Sequence, residues 1–191
     1  MDIAERKLAF ADGMVVAGHS DFTIDGFVAL VEANPDTHFK FNAAGDVVVM
    51  SPTNIHAIVQ GLVAIELGTW LSSGALPAFY VATDGLFALG DWRSRPDVAI
   101  VPHFGKIIPR EAPRVAVEIR SESNSWRELR AKAARYLQHG TQMVWLVDTD
   151  ARSVEIHRPG AAALMMTGDD VIAGGDALPG FQVMVSELFP D

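Results

Sequence analysis

The sequence predicts a mixed α/β or α+β domain, in which helices flank a mixed central β-sheet. Two observations predict this class. Strand-like and helix-like segments alternate along the chain, and residues 144–147 form a continuous apolar run of the kind that is buried on both faces of a sheet. At 191 residues the chain is most simply one domain, spanning residues 1–191, with room for a substantial core.

The composition narrows the classes of function. Hydrophobic residues make up 49% and charged residues 20% of the chain, which is typical of a soluble globular protein. The chain has no cysteine, no signal-peptide pattern and no apolar run of the ~18–20 residues that a membrane span needs. We therefore expect a cytoplasmic protein without a membrane partner. The net charge of −9 argues against a broad surface that coats nucleic acid, but it leaves room for a local basic patch.

The first third of the chain predicts two helices around a β-hairpin. Residues 1–18 could form an additional N-terminal β-hairpin or an added segment. The apolar spacing of residues 23–33 indicates a short helix that Asn34-Pro35 ends. The runs F-K-F and V-V-V-M flank N-A-A-G-D, a hairpin signal in which Gly45 can take a positive φ. Residues 54–71 then repeat apolar side chains at helical spacing.

The middle and the end of the chain are richer in strands. Residues 78–90 predict two short strands around Asp84-Gly85, and the polar stretch D-W-R-S-R after them is interpreted as a loop. The segments R-P-D-V-A-I-V and P-R-V-A-V-E-I-R-S predict two strands separated by a loop over residues 102–113. Residues 154–157 are the expected hairpin partner of the apolar run at 144–147, and the tail over 164–189 predicts further short strands.

A well-marked helix follows the V-A-V-E-I run. Ser125 and Glu128 form an S-x-x-E capping box, and Gly140 follows the last periodic residue as a stop signal. Lys132 lies at the border of the buried stripe, which is formed by Trp126, Leu129, Ala133, Tyr136 and Leu137. From this border, Lys132 can reach inward along the edge of the sheet.

Three charged residues in these segments suit one site. The period of two puts Glu118 and Arg120 on the same strand face, and a carboxylate within V-A-V-E-I is costly to bury unless it is paired or binds a metal. Asp97 opens the preceding strand, and Lys132 lies on the following helix. Two carboxylates and an ammonium at a strand–helix junction suit metal-assisted phosphodiester hydrolysis. In that chemistry the carboxylates hold Mg²⁺ or Mn²⁺, and the lysine steadies the attacking water or the developing charge.

Each of these residues also has a purely structural interpretation. Asp97 could cap a turn after Pro96, and Lys132 could be a solvated lysine whose stem covers apolar surface. His56, at a helix start, could orient a phosphate or a water near the site, or it could be a partly buried polar residue. The sequence contains no nucleophile elbow and no glycine-rich nucleotide motif, so a serine hydrolase and a nucleotide-cofactor enzyme are unsupported.

Taken together, these motifs resemble the Uma2 family (DUF820) of restriction-type endonucleases, in the PD-(D/E)XK nuclease superfamily. The resemblance rests on R-P-D-V-A-I-V, V-E-I-R-S, the K-x-x-x-Y helix followed by G-T-Q-M-V-W-L-V-D, and the closing L-P-G-F. It implies a restriction-endonuclease-like fold and a Mg²⁺-dependent enzyme that hydrolyses DNA, with Asp97 and Glu118 as metal ligands. Lys132 matches a catalytic lysine that has moved from the strand to the helix. Arg120 occupies the usual strand position of that lysine, and His56 stands where the family often has histidine.

One position departs from the family pattern. Where the family carries a glutamate in the first strand of the early hairpin, this chain carries Lys40, which could pair with Asp97 or Glu118 and take the place of the metal. Two functions therefore stay open. One is a Mg²⁺-dependent DNA endonuclease, expected to be a homodimer because duplex cutting needs two sites. The other is a catalytically weak or inactive relative that binds nucleic acid or a protein partner, and the role of Lys40 separates the two.

Overall fold

The computed structural model of the chain describes residues 13–50, 53–102, 108–121 and 124–190. The helices are α1 (Ile24–Ala33), α2 (Asn54–Ser72) and α3 (Trp126–Gln138), and a 3-10 helix covers Val185–Leu188. The strands, in chain order, are β1 (Val15–Ala17), β2 (His38–Phe41), β3 (Val47–Met50), β4 (Phe79–Thr83), β5 (Phe87–Leu89), β6 (Trp92–Ser94), β7 (Val98–Pro102), β8 (Val115–Ile119), β9 (Met143–Asp148), β10 (Ser153–His157), β11 (Leu164–Thr167), β12 (Val171–Ala173) and β13 (Gln182–Met184).

Six strands form the central sheet, in the order β11-β10-β9-β8-β7-β4. Strands β8 and β9 are parallel, and the other neighbouring pairs of this sheet are antiparallel. A parallel pair needs a crossover connection, which α3 supplies between β8 and β9. The helix that carries Lys132 therefore follows directly from the strand that carries Glu118. The predicted mixed sheet flanked by helices is confirmed.

Alternate residues of the central strands face two different helices, as the period of two requires. One core packs α2 against the sheet and includes Val59, Val63, Leu67, Val115, Val117 and Ile119. The other core lies under α3 and includes Ala116, Leu129, Ala133, Tyr136, Val144 and Leu146. Glu118 shares its parity with Ala116, so its side chain lies on the α3 face.

A second, three-stranded sheet in the order β1-β3-β2 delivers Lys40 to the central sheet. Helix α1 packs on it through aromatic contacts, of which Phe27 and Phe41 are the closest pair, with ring centroids 4.8 Å apart. The turn between β2 and β3 uses Gly45 at φ 95°. A Cβ at that position would also lie 3.2 Å from the Trp92 ring, so the site favours glycine on both counts.

Helix α2 is long and apolar enough to cross a membrane by length and composition alone. Within this domain it packs Val59 and Val63 into the core and brings His56 and Gln60 to the central sheet. Those contacts identify α2 as a structural helix of the domain.

The three helices and the strands of residues 143–148 and 153–157 agree with the sequence prediction to within one residue at each end. The interpretation of D-W-R-S-R as a loop is wrong, because Trp92–Ser94 forms β6 and pairs with β5. Trp92 and Ser94 are fully buried. Three residues between a glycine turn and a proline are too few to display an alternating pattern.

The N-terminal region is described only in part. Strand β1 pairs with β3 of the early hairpin through Val15 and Val48. The rest of the expected N-terminal hairpin falls on residues 1–12, which lie outside the described residues, as do residues 103–107 of the loop that follows β7.

Candidate active site

Asp97 lies just before β7, and Glu118 lies on the neighbouring strand β8. The antiparallel pairing of β7 with β8 sets Val98 against Val117, so the residue before β7 falls opposite Glu118 in the same register. Both carboxylates are only 2% exposed. They line one cleft of about 90 Å³ together with Lys40 and Lys132. The structure thus brings together the two carboxylates and the helix lysine that the sequence singled out.

Both oxygens of Glu118 accept a hydrogen bond from α3. Lys132 Nζ donates to Oε2 over 2.7 Å, and the Tyr136 hydroxyl donates to Oε1 over 2.8 Å. The two donors are four residues apart, so they project from the same face of the helix. Burial, and then the charge of Glu118, raise the pKa of Tyr136 well above its usual value, so its hydroxyl stays protonated as a donor. Ser94 in turn shares a hydrogen bond with this hydroxyl.

Asp97 is held by three donors from three different elements. Lys40 Nζ lies 2.5 Å from Oδ1, and His56 Nε2 lies 3.2 Å from the same oxygen. The backbone N–H of Ile119 donates to Oδ2 over 2.7 Å. Burial alone would raise the pKa of Asp97, but the charge of Lys40 and the bond with His56 outweigh it and hold the pKa below its usual range. Asp97 is therefore ionised at neutral pH.

Lys40 is a buried cation between two aspartates. Its ammonium lies 2.7 Å from Asp84 Oδ1 as well as beside Asp97, and it donates to the Arg95 carbonyl over 3.3 Å. Burial lowers the pKa of Lys40, yet the charges of Asp97 and Asp84 overcome this effect and raise it. Strand β2 thus delivers to Asp97 an ammonium that is charged at neutral pH, as the departure from the family pattern led us to expect.

Asp84 and Gln60 complete this group and were not anticipated. Gln60 Nε2 donates to Asp84 Oδ2 and to the Asp97 carbonyl, both over 2.9 Å. Gln60 lies one helical turn after His56, so the two side chains reach the site from one face of α2. That i, i+4 spacing was the available sequence signal. Asp84 gave none, because an aspartate beside a glycine is common in turns.

His56 lies beside Asp97, whereas Arg120 lies away from the cleft. His56 is 2% exposed and contacts Asp97, while its Nδ1 has no hydrogen-bond partner within the described part of the chain. This geometry suits a residue that orients Asp97. The Arg120 guanidinium instead donates to Asp148 over 2.9 Å and does not line the cleft.

The donor chemistry of Asp97 and Glu118 fits a hard divalent cation, since Mg²⁺ prefers carboxylate oxygens. Both carboxylates already bind a lysine ammonium. Among the described residues, moreover, no group of three or more His, Cys, Asp or Glu side chains has the spacing of a metal site. A cation at Asp97 would therefore have to displace the Lys40 ammonium.

Comparisons with known proteins identify the family and the fold. A family model described as "Uma2: Putative restriction endonuclease" matches residues 24–186. The structure is also similar to the crystal structure of "a putative nuclease belonging to DUF820" from Anabaena variabilis ATCC 29413, with a TM-score of 0.73 and 20% sequence identity. That match covers 88% of this chain and 97% of the other, and it confirms the fold. No curated protein matches the chain. Since the family model spans most of the sequence, the chain belongs to the Uma2 family.

Proposed function

We propose that this single-domain chain is a nuclease that hydrolyses phosphodiester bonds of DNA with Mg²⁺, for which Mn²⁺ can substitute. Asp97 and Glu118 would hold the metal. One observation carries the proposal: two buried carboxylates, Asp97 just before β7 and Glu118 on the paired strand β8, line one cleft with Lys132. Membership in a family described as restriction endonucleases supports DNA as the substrate. The lack of cysteine suits the reducing cytoplasm, where we place the protein.

When bound, a divalent cation would supply activation of the attacking water and neutralisation of charge on the phosphate. The chain's own residues prepare the site. His56 and the Ile119 N–H hold Asp97 in one orientation, and Tyr136 does the same for Glu118. Lys132, anchored 2.7 Å from Glu118, can place its positive charge beside a phosphate in the cleft. Side chains held by such contacts lose little freedom when a substrate binds.

Nicking of a supercoiled plasmid by the purified chain tests this proposal. We expect conversion to the open-circular form in Mg²⁺ or Mn²⁺ and no conversion in EDTA. Nicking that persists in EDTA would contradict the role of the metal. If wild type does not nick in any divalent cation, the second candidate below is favoured.

The second candidate is a catalytically weak or inactive relative that binds nucleic acid or a protein partner. The observation that favours it is the Lys40 ammonium, which is bound to Asp97 and Asp84. The Lys40 ammonium already occupies the position beside Asp97 at which a divalent cation would be attracted most strongly. DNA binding in a gel-shift assay, without nicking in Mg²⁺ or Mn²⁺, is the result that this candidate predicts.

We also propose that two chains associate through the exposed face of α2, so that the dimer carries two clefts for duplex cutting. The exposed positions of this helix carry no charged side chain: Asn54, Ala57, Ile58, Gly61, Ile65, Thr69 and Ser72. Ile58 is 47% and Ile65 61% exposed. They lie three residues before and four after Gly61, so antiparallel packing about a twofold axis near Gly61 would place Ile58 of one copy against Ile65 of the other. A Cβ at Gly61 would meet nothing within 4 Å, so this point is open to close approach.

We expect Ile65→Asp to convert a dimer of the wild-type chain into monomer, because a carboxylate at the twofold contact would be buried without a partner. Light scattering with size-exclusion chromatography measures the mass. Val28→Asp, an exposed apolar residue of α1, is the matched control and should remain dimeric. A stable dimer is expected to bury about 1,200–2,000 Å² of total surface. Wild-type chain that is monomeric at high concentration would contradict the proposal.

A further inference from the structure

Basic residues are concentrated in α3 and beside it. The chain has 15 Lys and Arg and a net charge of −9. Four of those basic residues lie on the 13-residue helix α3, with a single acidic residue, Glu128. Helix α3 is therefore a local positive element on an acidic protein.

Two arginines of this region are anchored on buried carboxylates. Arg130 binds Glu155 with both Nε and Nη2, over 3.0 and 2.7 Å, and Arg120 binds Asp148 over 2.9 Å. The side chains of Glu155 and Asp148 are 4% and 5% exposed, whereas that of Arg130 is 54% exposed and that of Arg120 is 30% exposed. The two carboxylates are therefore buried under the arginines, and the guanidinium groups are the part of each pair that is exposed to solvent.

Trp126 links the two arginines. The Arg120 and Arg130 guanidinium carbons lie 5.7 and 5.2 Å from the centroid of the Trp126 ring, within cation–π range. We call these three side chains the arginine track. Since each guanidinium is held by both a carboxylate and the ring, its orientation is set before any ligand arrives.

Both guanidinium groups retain donors for a ligand. A guanidinium has five N–H donors. Arg130 uses its Nε and Nη2 on Glu155, which leaves Nη1, and Arg120 uses its Nη1 on Asp148, which leaves Nη2. Phosphate oxygens are the acceptors that such forked donors match best.

The arginine track continues from the cleft across the same face of the sheet. Glu118 and Glu155 both pair with Leu146, from opposite sides, so they lie in one row across β8, β9 and β10. Two strand spacings separate them by about 10 Å. Asn124 and Glu128, on either side of Trp126 in the chain, line the cleft itself. A polymer that enters the cleft at Glu118 would thus run directly onto the arginine track.

We infer that the arginine track binds the sugar–phosphate backbone of the DNA strand whose phosphodiester lies in the cleft. The inference rests on the proposed nuclease function and assigns the surface that holds its substrate. DNA is the occupant we commit to because a row of fixed cations leading out of a cleft matches a chain of evenly spaced anions. The alternative is that both arginines serve only to neutralise Asp148 and Glu155.

The test is the salt dependence of DNA binding, measured in EDTA so that cleavage does not contribute. Fluorescence anisotropy with a labelled duplex gives the affinity over a range of NaCl concentrations. The two variants are Arg130→Gln with Glu155→Gln and Arg120→Gln with Asp148→Asn, which remove each charge pair without leaving a buried carboxylate alone. If the first fails to fold, Arg130→Gln alone is used, since Glu155 still lies 2.7 Å from His157 Nε2. Arg114→Gln, at the opposite end of β8, is the control.

We expect each track variant to lower the slope of log affinity against log salt by about 0.9, the value for one lost phosphate contact, and Arg114→Gln to keep the wild-type slope. Wild-type slopes in both track variants, or no DNA binding by the wild-type chain, would overturn the inference. The outcome is separable from the proposed function. DNA binding that depends on the arginine track, without plasmid nicking, would support the track and contradict the proposed nuclease activity. Plasmid nicking with wild-type slopes in both track variants would support the nuclease activity and contradict the track.

Discussion

Lys40→Glu is expected to gain stability from Mn²⁺ binding, whereas the wild-type chain is expected to bind Mn²⁺ only weakly. In the wild-type chain the Lys40 ammonium lies 2.5 Å from Asp97 and 2.7 Å from Asp84. The substitution removes that cation and adds a third carboxylate, so the metal-free variant concentrates negative charge in a buried site. Breaking a buried ion pair costs about 3–5 kcal/mol. A divalent cation would relieve the repulsion and gain a ligand.

The expected readout is the melting temperature with and without Mn²⁺. A cation at 100 times its dissociation constant stabilises a folded protein by about 2.7 kcal/mol, which corresponds to roughly 5–11 °C for a chain of this size. We expect a shift in this range for Lys40→Glu and a much smaller one for the wild-type chain. Mn²⁺ titration by calorimetry measures the same affinity directly.

Lys40→Met is the matched control, because it removes the ammonium without adding an oxygen ligand. Its Mn²⁺ response should lie between those of wild type and Lys40→Glu, which separates relief of repulsion from provision of a ligand. Equal Mn²⁺ shifts in all three proteins would contradict the idea that Lys40 competes with the metal. Nicking that is stronger in Lys40→Glu than in wild type would indicate that the native chain is the weakened relative.

Much of the site follows from local sequence patterns. The alternation within V-A-V-E-I places Glu118 on the α3 face, and the Ser125–Glu128 capping box fixes where α3 begins, which in turn fixes the side of the helix that Lys132 occupies. The hairpin around Gly45 sets the register of Lys40. These are short-range features, in which each residue's position depends on neighbours a few residues away.

The remaining partners depend on contacts that no local pattern encodes. Asp84 reaches Lys40 across 44 positions of sequence, and Gln60 reaches Asp84 across 24. Ser94 meets Tyr136 only because the three-residue strand β6 packs beside α3. The position of Arg120 also depends on a distant contact. Its parity with Glu118 is as expected, but the carboxylate of Asp148, at the end of β9, draws the guanidinium away from the cleft.

Glu118→Gln is expected to lower the rate of metal-dependent plasmid nicking at least about 100-fold. The amide keeps the shape of the side chain but lacks the negative charge that a hard cation requires. Lewis-acid catalysis supplies several kcal/mol, and each 1.36 kcal/mol corresponds to a tenfold change in rate. Single-turnover nicking rates in Mg²⁺ and in Mn²⁺ measure the effect.

This variant also leaves Lys132 buried beside a neutral amide, so a loss of folded protein could imitate a loss of catalysis. Lys132 is 5% exposed, and removal of one partner of such a pair costs about 3–5 kcal/mol. Rates must therefore be compared at a temperature where circular dichroism shows the variant fully folded. Glu32→Gln, which makes the same change at an exposed position of α1, should match wild type. Folded Glu118→Gln that nicks as fast as Glu32→Gln would place the chemistry at another site or in a contaminant, because the proposed metal site would then lack one of its two carboxylates without consequence.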